Sequence, residues 1–180
     1  MRRLMLLRHS RTENDAPSGK DQDRRLDDRG RLDAAEIGGW IARHPPFPDW
    51  VLVSPAVRSH QTWEIAWQAM KDAAPPPKVD TPAELYGADP SALLQIIHGA
   101  ADGDPQRLML VGHNPGLHEL AFALAGSGNA AARGALADNL PTSGLAVIDF
   151  DIDDWDDVSF RRGRLELFVS PKLLKAASGG

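Results

Sequence analysis

Residues 3–12 read RLMLLRHSRT, and this stretch decides the fold. Leu4 to Leu7 form an unbroken apolar run, without the alternation of a half-exposed strand, which suits a strand covered on both faces. Arg8-His9-Ser10-Arg11 ends the run abruptly, and the polar residues 10–27, with Pro17 and Gly19, read as a loop. The same pattern recurs twice. WVLV at 50–53 breaks off at Ser54-Pro55, and RLMLVG at 107–112 runs into His113-Asn114-Pro115-Gly116.

Helical spacing fills the intervals. Leu32, Ala35, Ile37, Trp40, Ile41 and His44 recur with helical period over 28–44, and Pro45-Pro46 stops them. Residues 57–72 place Trp63, Ala66, Trp67 and Met70 on one face. The triple proline 75–77 forces an extended connector, followed by a brief strand near Val79. Pro90 opens a helix running to His98, and Leu117, Leu120, Ala121 and Leu124 mark another. The Gly- and Ala-rich residues 126–139 read as a mobile loop or a frayed helix. Two late strands are expected at 144–150 and 164–169, joined by the acidic turn 151–157, in which Trp155 is expected to be exposed. Strands alternating with helices predict a three-layer α/β/α sandwich with a mainly parallel central sheet, one domain over residues 1–180.

Composition narrows the chemistry. The 180 residues include no cysteine, which excludes disulfides, cysteine-ligated metals and a thiolate nucleophile. A net charge of -5 argues against a nucleic-acid binder that neutralises phosphates over a wide face. Residues 1–31 nevertheless carry nine Lys or Arg against six Asp or Glu, while the remainder holds eleven against nineteen. A small anion site on an acidic body is the reading. No apolar run is long enough for a membrane span, and Arg8-His9 cuts the first one too short for a signal peptide, so a cytoplasmic location is expected. His113 and His118 lie five apart, the wrong spacing for the paired ligands of a zinc hydrolase, and no metal or cofactor is expected. Neither a GxSxG elbow nor a phosphate-binding GxxxxGK[ST] loop is present. The acidic turn lacks the spacing of a calcium-binding loop.

In a parallel sheet, ligands bind beyond the carboxyl ends of the strands. Arg8-His9, Arg58 and His113 follow three such ends. Two guanidinium forks can grip a phosphoryl group, a neutral imidazole beside them can attack phosphorus, and a second imidazole can donate to the equatorial oxygens. Arg11 is a possible extension of that anion site, with ordinary surface charge as the equal alternative. Arg24, Arg25, Arg29 and Arg31 read as ordinary loop or helix charge.

LLRHSRTE, DRRLDDRGRLDA, VLVSPAVRSHQT, VGHNPGLHEL and LPTSGLAVIDF together resemble the histidine phosphatase superfamily (phosphoglycerate mutase-like), and most nearly its short SixA-type phosphohistidine phosphatases. The family's usual Arg-His-Gly reads Arg8-His9-Ser10 here. The resemblance implies that His9 is the nucleophile and that Arg8, Arg58 and His113 complete the phosphate pocket. It also offers Glu84, in AELYG, as the general acid, with solvent, His113 or a loop carboxylate as alternatives. The implied activity is a metal-independent phosphatase working through a phosphohistidine intermediate, with a phosphohistidine protein or a small phosphorylated molecule as substrate. A small-molecule phosphomonoesterase and a non-catalytic phospho-ligand module are the other readings. Oligomeric state is left open by the sequence.

Overall fold

A computed structural model describes residues 1–178. Helices and strands alternate through β1 (Arg2–Arg8), α1 (Asp28–Ala42), β2 (Trp50–Val53), α2 (Val57–Met70), β3 (Lys78–Asp80), α3 (Pro90–His98), β4 (Arg107–Gly112) and α4 (Gly116–Leu124). They continue through β5 (Ala125–Gly128), α5 (Ala130–Asp138), β6 (Leu145–Phe150), β7 (Gly163–Val169) and α6 (Pro171–Ser178). All seven strands join one sheet in the order β3-β2-β4-β1-β6-β7-β5. β3, β2, β4 and β1 are mutually parallel, β6 is antiparallel to both β1 and β7, and β5 runs parallel to β7. The expected α/β/α sandwich and mainly parallel sheet are both present.

The continuous apolar runs are explained by their two covered faces. Within β1, Leu4 and Leu6 enter a core with Ile97 of α3, Leu117 and Leu120 of α4 and Leu136 of α5. Met5 and Leu7 face the other way, into a core with Ile37 and Ile41 of α1 and Trp63 and Met70 of α2. Caps fix where helices begin. The Asp27 side chain accepts from Gly30 N at the start of α1, and Asp89 accepts from Ala92 N ahead of Pro90 in α3.

Two expectations are corrected and one helix is new. For residues 126–139 the mobile-loop reading is corrected while the helical alternative is met: they contribute most of β5 and then α5, whose Asn129 cap accepts from Ala132 N and whose Leu136 is buried. Low apolar content hides both elements, because β5 contacts little beyond β7 and α5 buries a single side chain. Trp155, expected to be exposed in the acidic turn, is fully buried and donates from Nε1 to the Pro105 carbonyl at 2.7 Å. The surrounding aspartates are exposed while the indole joins the core on the α3 side. Helix α6, unforeseen, packs Leu174 against the α1–α2 face. No helix among the described residues is long and apolar enough to cross a membrane.

Candidate active site

Strand register brings the site together. β2, β4 and β1 are neighbours, with Val53 opposite Val111 and Val111 opposite Leu7. One step further along each strand stand Ser54, Gly112 and Arg8, and the chain turns out of the sheet there. His9 N donates to the Gly112 carbonyl and Ser54 N to the Val111 carbonyl, each at 3.0 Å, so the parallel ladder continues just past the strand ends. Arg58 arrives from the first turn of α2. The structure therefore brings together Arg8, His9, Arg58 and His113, with the two imidazole centroids 5.3 Å apart.

Hydrogen bonds set the proton on each ring. His9 Nδ1 lies 2.8 Å from the Ser10 carbonyl, which can only accept. Nδ1 is therefore the protonated nitrogen, and Nε2 keeps its lone pair. His113 Nε2 lies 2.6 Å from Ser54 Oγ, while that oxygen accepts from Ala56 N at 3.3 Å. In the tautomer where the Ser54 hydroxyl donates to Nε2, Nδ1–H is left as the free donor of His113. Burial is the main force holding both rings neutral. It lowers His9 to about 3, with His113, Arg58 and Arg8 adding to the effect, against the Ser10 carbonyl. It lowers His113 to about 4, again aided first by Arg58.

The cations are held rigidly but not fully used. Arg8 donates from Nη1 to the Leu140 carbonyl, and Asn114 Nδ2 donates to the same oxygen. Arg58 directs Nη1 to the Asp21 carbonyl at 2.8 Å and Nη2 to Asp21 Oδ2 at 3.0 Å. Arg8 Nε, Arg58 Nε and His113 Nδ1 are all buried without a protein partner. A buried donor left unpaired costs about 1–3 kcal/mol, and three within one cluster are a set that an oxyanion could satisfy. Ser143, in the turn before β6, braces the His9 segment: its N–H meets the Arg8 and His9 carbonyls, and its hydroxyl bonds that of Ser10.

Glu84 does not join the cluster. It is exposed on the short turn Ala83–Leu85 and lines a separate hollow with Trp50, Leu52 and Ile96. Tyr86, two residues on, is what reaches the pocket, its ring edge-on to His113 with centroids 5.6 Å apart. Arg11 also stays outside, paired with Asp27 and exposed. Arg24, expected to be ordinary charge, instead donates from Nε to Asp21 Oδ1 at 3.0 Å, beside Arg58. Asp21 and Tyr86 escaped sequence reasoning because nothing in their spacing announces them. Only the folding of the 10–27 loop back over α2, pinned by Leu26 N donating to Gln61 Oε1, brings Asp21 there.

The family model for the histidine phosphatase superfamily (branch 1) matches residues 4–86. An uncharacterized Mycobacterium leprae protein is 31% identical over 153 residues, spanning 84% of this chain and 89% of its own length. A candidate phosphohistidine phosphatase SixA from Agrobacterium tumefaciens superposes with a TM-score of 0.77 at 33% identity, over 94% of this chain and 98% of its own. The protein histidine phosphatase SixA complexed with tungstate shares the fold, with a TM-score of 0.74 at 20% identity over 96% and 99% of the two chains. The chain belongs to the histidine phosphatase superfamily. Phosphatase is the activity that this membership and these neighbours support.

Proposed function

We propose that this protein hydrolyses phosphoryl groups through a covalent intermediate on His9 and that its substrate is a protein phosphohistidine. The observation that carries the reading is a buried neutral imidazole, proton on Nδ1 and lone pair on Nε2, set among three unpaired buried donors. His9 Nε2 attacks phosphorus as the bond to the leaving nitrogen breaks, and the leaving group keeps that electron pair. Charge growing on the His9 ring is met by the Ser10 carbonyl, while Arg8, Arg58 and His113 Nδ1–H hold the equatorial oxygens. Water then attacks phosphorus, gives its proton to solvent, and the P–Nε2 bond opens to return neutral His9.

The choice of substrate follows from the leaving group. Among the described residues, Asp21 is the only carboxylate within hydrogen-bond distance of the four, and it is tied to Arg58, Arg24 and Tyr86. With Glu84 outside the pocket and His113 neutral, departure of an alkoxide would lack a protein acid. An imidazole leaving group needs none, because its second nitrogen takes a proton from water near neutral pH. The A. tumefaciens neighbour, a candidate phosphohistidine phosphatase, supports the same choice.

Two measurements test the proposal. Incubation with p-nitrophenyl phosphate should give turnover and an acid-labile phosphoryl adduct that His9→Ala abolishes, with Arg58→Ala slowing turnover about a hundredfold or more. A panel of phosphohistidine protein, sugar phosphates and phosphoglycerates should rank the first highest in kcat/KM. No turnover and no adduct by the native protein would overturn the mechanism, and a preference for a sugar phosphate would overturn the substrate.

A further inference from the structure

Asp21 occupies a singular position at the pocket. Its carbonyl and Oδ2 together take both terminal nitrogens of Arg58. Oδ2 also accepts from the Tyr86 hydroxyl at 2.6 Å, and Oδ1 accepts from Arg24 Nε. Arg58 is 7% exposed and forms the pocket wall, whereas the Asp21 side chain is 53% exposed and sits on its solvent side. The Arg58 guanidinium lies over the Tyr86 ring, and that ring contacts His113. A fixed negative charge thus stands one guanidinium away from the phosphoryl site, on the side open to whatever carries the phosphoryl group.

We propose that Asp21 is a specificity-determining residue that selects substrates by the charge of the leaving group. It turns away phosphoryl donors bearing a second anion beside the scissile bond and favours those whose leaving group is neutral or cationic. This deepens the phosphatase reading and rests on it. The hydrogen bond from Tyr86, followed by that from Arg58, holds the Asp21 carboxyl near 2, so the charge is present throughout the working range. A protonated imidazole leaving group matches that charge, and the second phosphate or carboxylate of a phosphorylated metabolite opposes it. Between Arg8, Arg24 and Arg58, such second anions would otherwise be welcomed. Asp21 supplies the opposing element that specificity requires.

The test uses phenyl phosphate and two para-substituted relatives, 4-carboxy and 4-(2-aminoethyl). The native protein should rank them cationic, neutral, anionic in kcat/KM. Asp21→Asn should shrink the spread between the extremes by about tenfold, chiefly through KM of the carboxy substrate, with less effect in high salt. Tyr86→Phe removes one anchor but no charge and should keep the ranking. If Asp21→Asn slows all three equally, Asp21 only positions Arg58 and the proposal is overturned. A native protein that turns over all three without a charge ranking overturns this inference alone, while one that turns over neither these, p-nitrophenyl phosphate nor phosphohistidine protein overturns the phosphatase reading with it.

Discussion

The Ser10 carbonyl and the Ser54 hydroxyl decide which nitrogen of each buried imidazole carries a proton. In the proposed reaction, with Ser54 donating to Nε2 and burial keeping the ring uncharged, His113 would act as a neutral hydrogen-bond donor rather than as an acid. Ser54→Ala removes that donation and lets the proton move to Nε2, turning a lone pair toward the equatorial oxygens. We expect kcat to fall about tenfold or more with KM little changed, because the lost interaction strengthens only as charge develops on phosphorus. Steady-state kinetics on p-nitrophenyl phosphate checks this, and Ser54→Thr, which keeps a hydroxyl, should restore most of the rate. An equal loss in Ser54→Thr would point to packing instead.

At the scale of elements, the strands other than β5 and the four main helices were legible because their signals are local. Unbroken runs such as Leu4–Leu7 state that both faces are covered, and Pro45 or Pro90 marks a helix boundary to within a few residues. Arg8, His9, Arg58 and His113 could be brought together on paper because parallel strands end on one side. Asp21, Tyr86 and Arg24 could not, since their meeting depends on the path of a loop rather than on any periodicity. The close approach of α1 and α2 was equally silent. A Cβ on Gly38 would fall on the Ala66 main chain, whereas one on Gly39 would meet only the mobile end of Arg43, 3.4 Å away. Gly38→Val should therefore cost about 2 kcal/mol or more, lowering Tm by several degrees. Gly39→Ala should be neutral or gain up to about 1 kcal/mol from helix propensity. Thermal melts of the two variants decide it, and equal shifts would mean that α1 can slide away from α2.

For the molecule as a whole, the pocket links stability to pH and to anion binding. In the folded state His9 titrates near 3 and His113 near 4, both held down mainly by burial, against about 6.5 in the unfolded chain. Between those limits the unfolded chain binds more protons, so acid favours unfolding. The stability these two groups allow is fully present above about pH 6.5. It is lost as pH falls toward the folded-state values of about 3 and 4. An oxyanion held by Arg8, Arg58 and His113 brings negative charge beside both rings and raises their folded pKa values, which narrows the gap. Orthovanadate or tungstate should therefore act twice. At a hundred times its dissociation constant it should add about 2.7 kcal/mol by mass action, raising Tm by several degrees near neutral pH. It should also move the acid limb of the stability curve to lower pH, so the rise in Tm is larger at pH 5 than at pH 7.5. His9→Ala removes one of the two titrating rings and should flatten the acid limb even without anion. Calorimetric scans across that range, with imidazole titrations followed by NMR, test both parts. A rise in Tm independent of pH, or an imidazole titrating near 6.5 at His9, would show that burial does not hold these rings neutral.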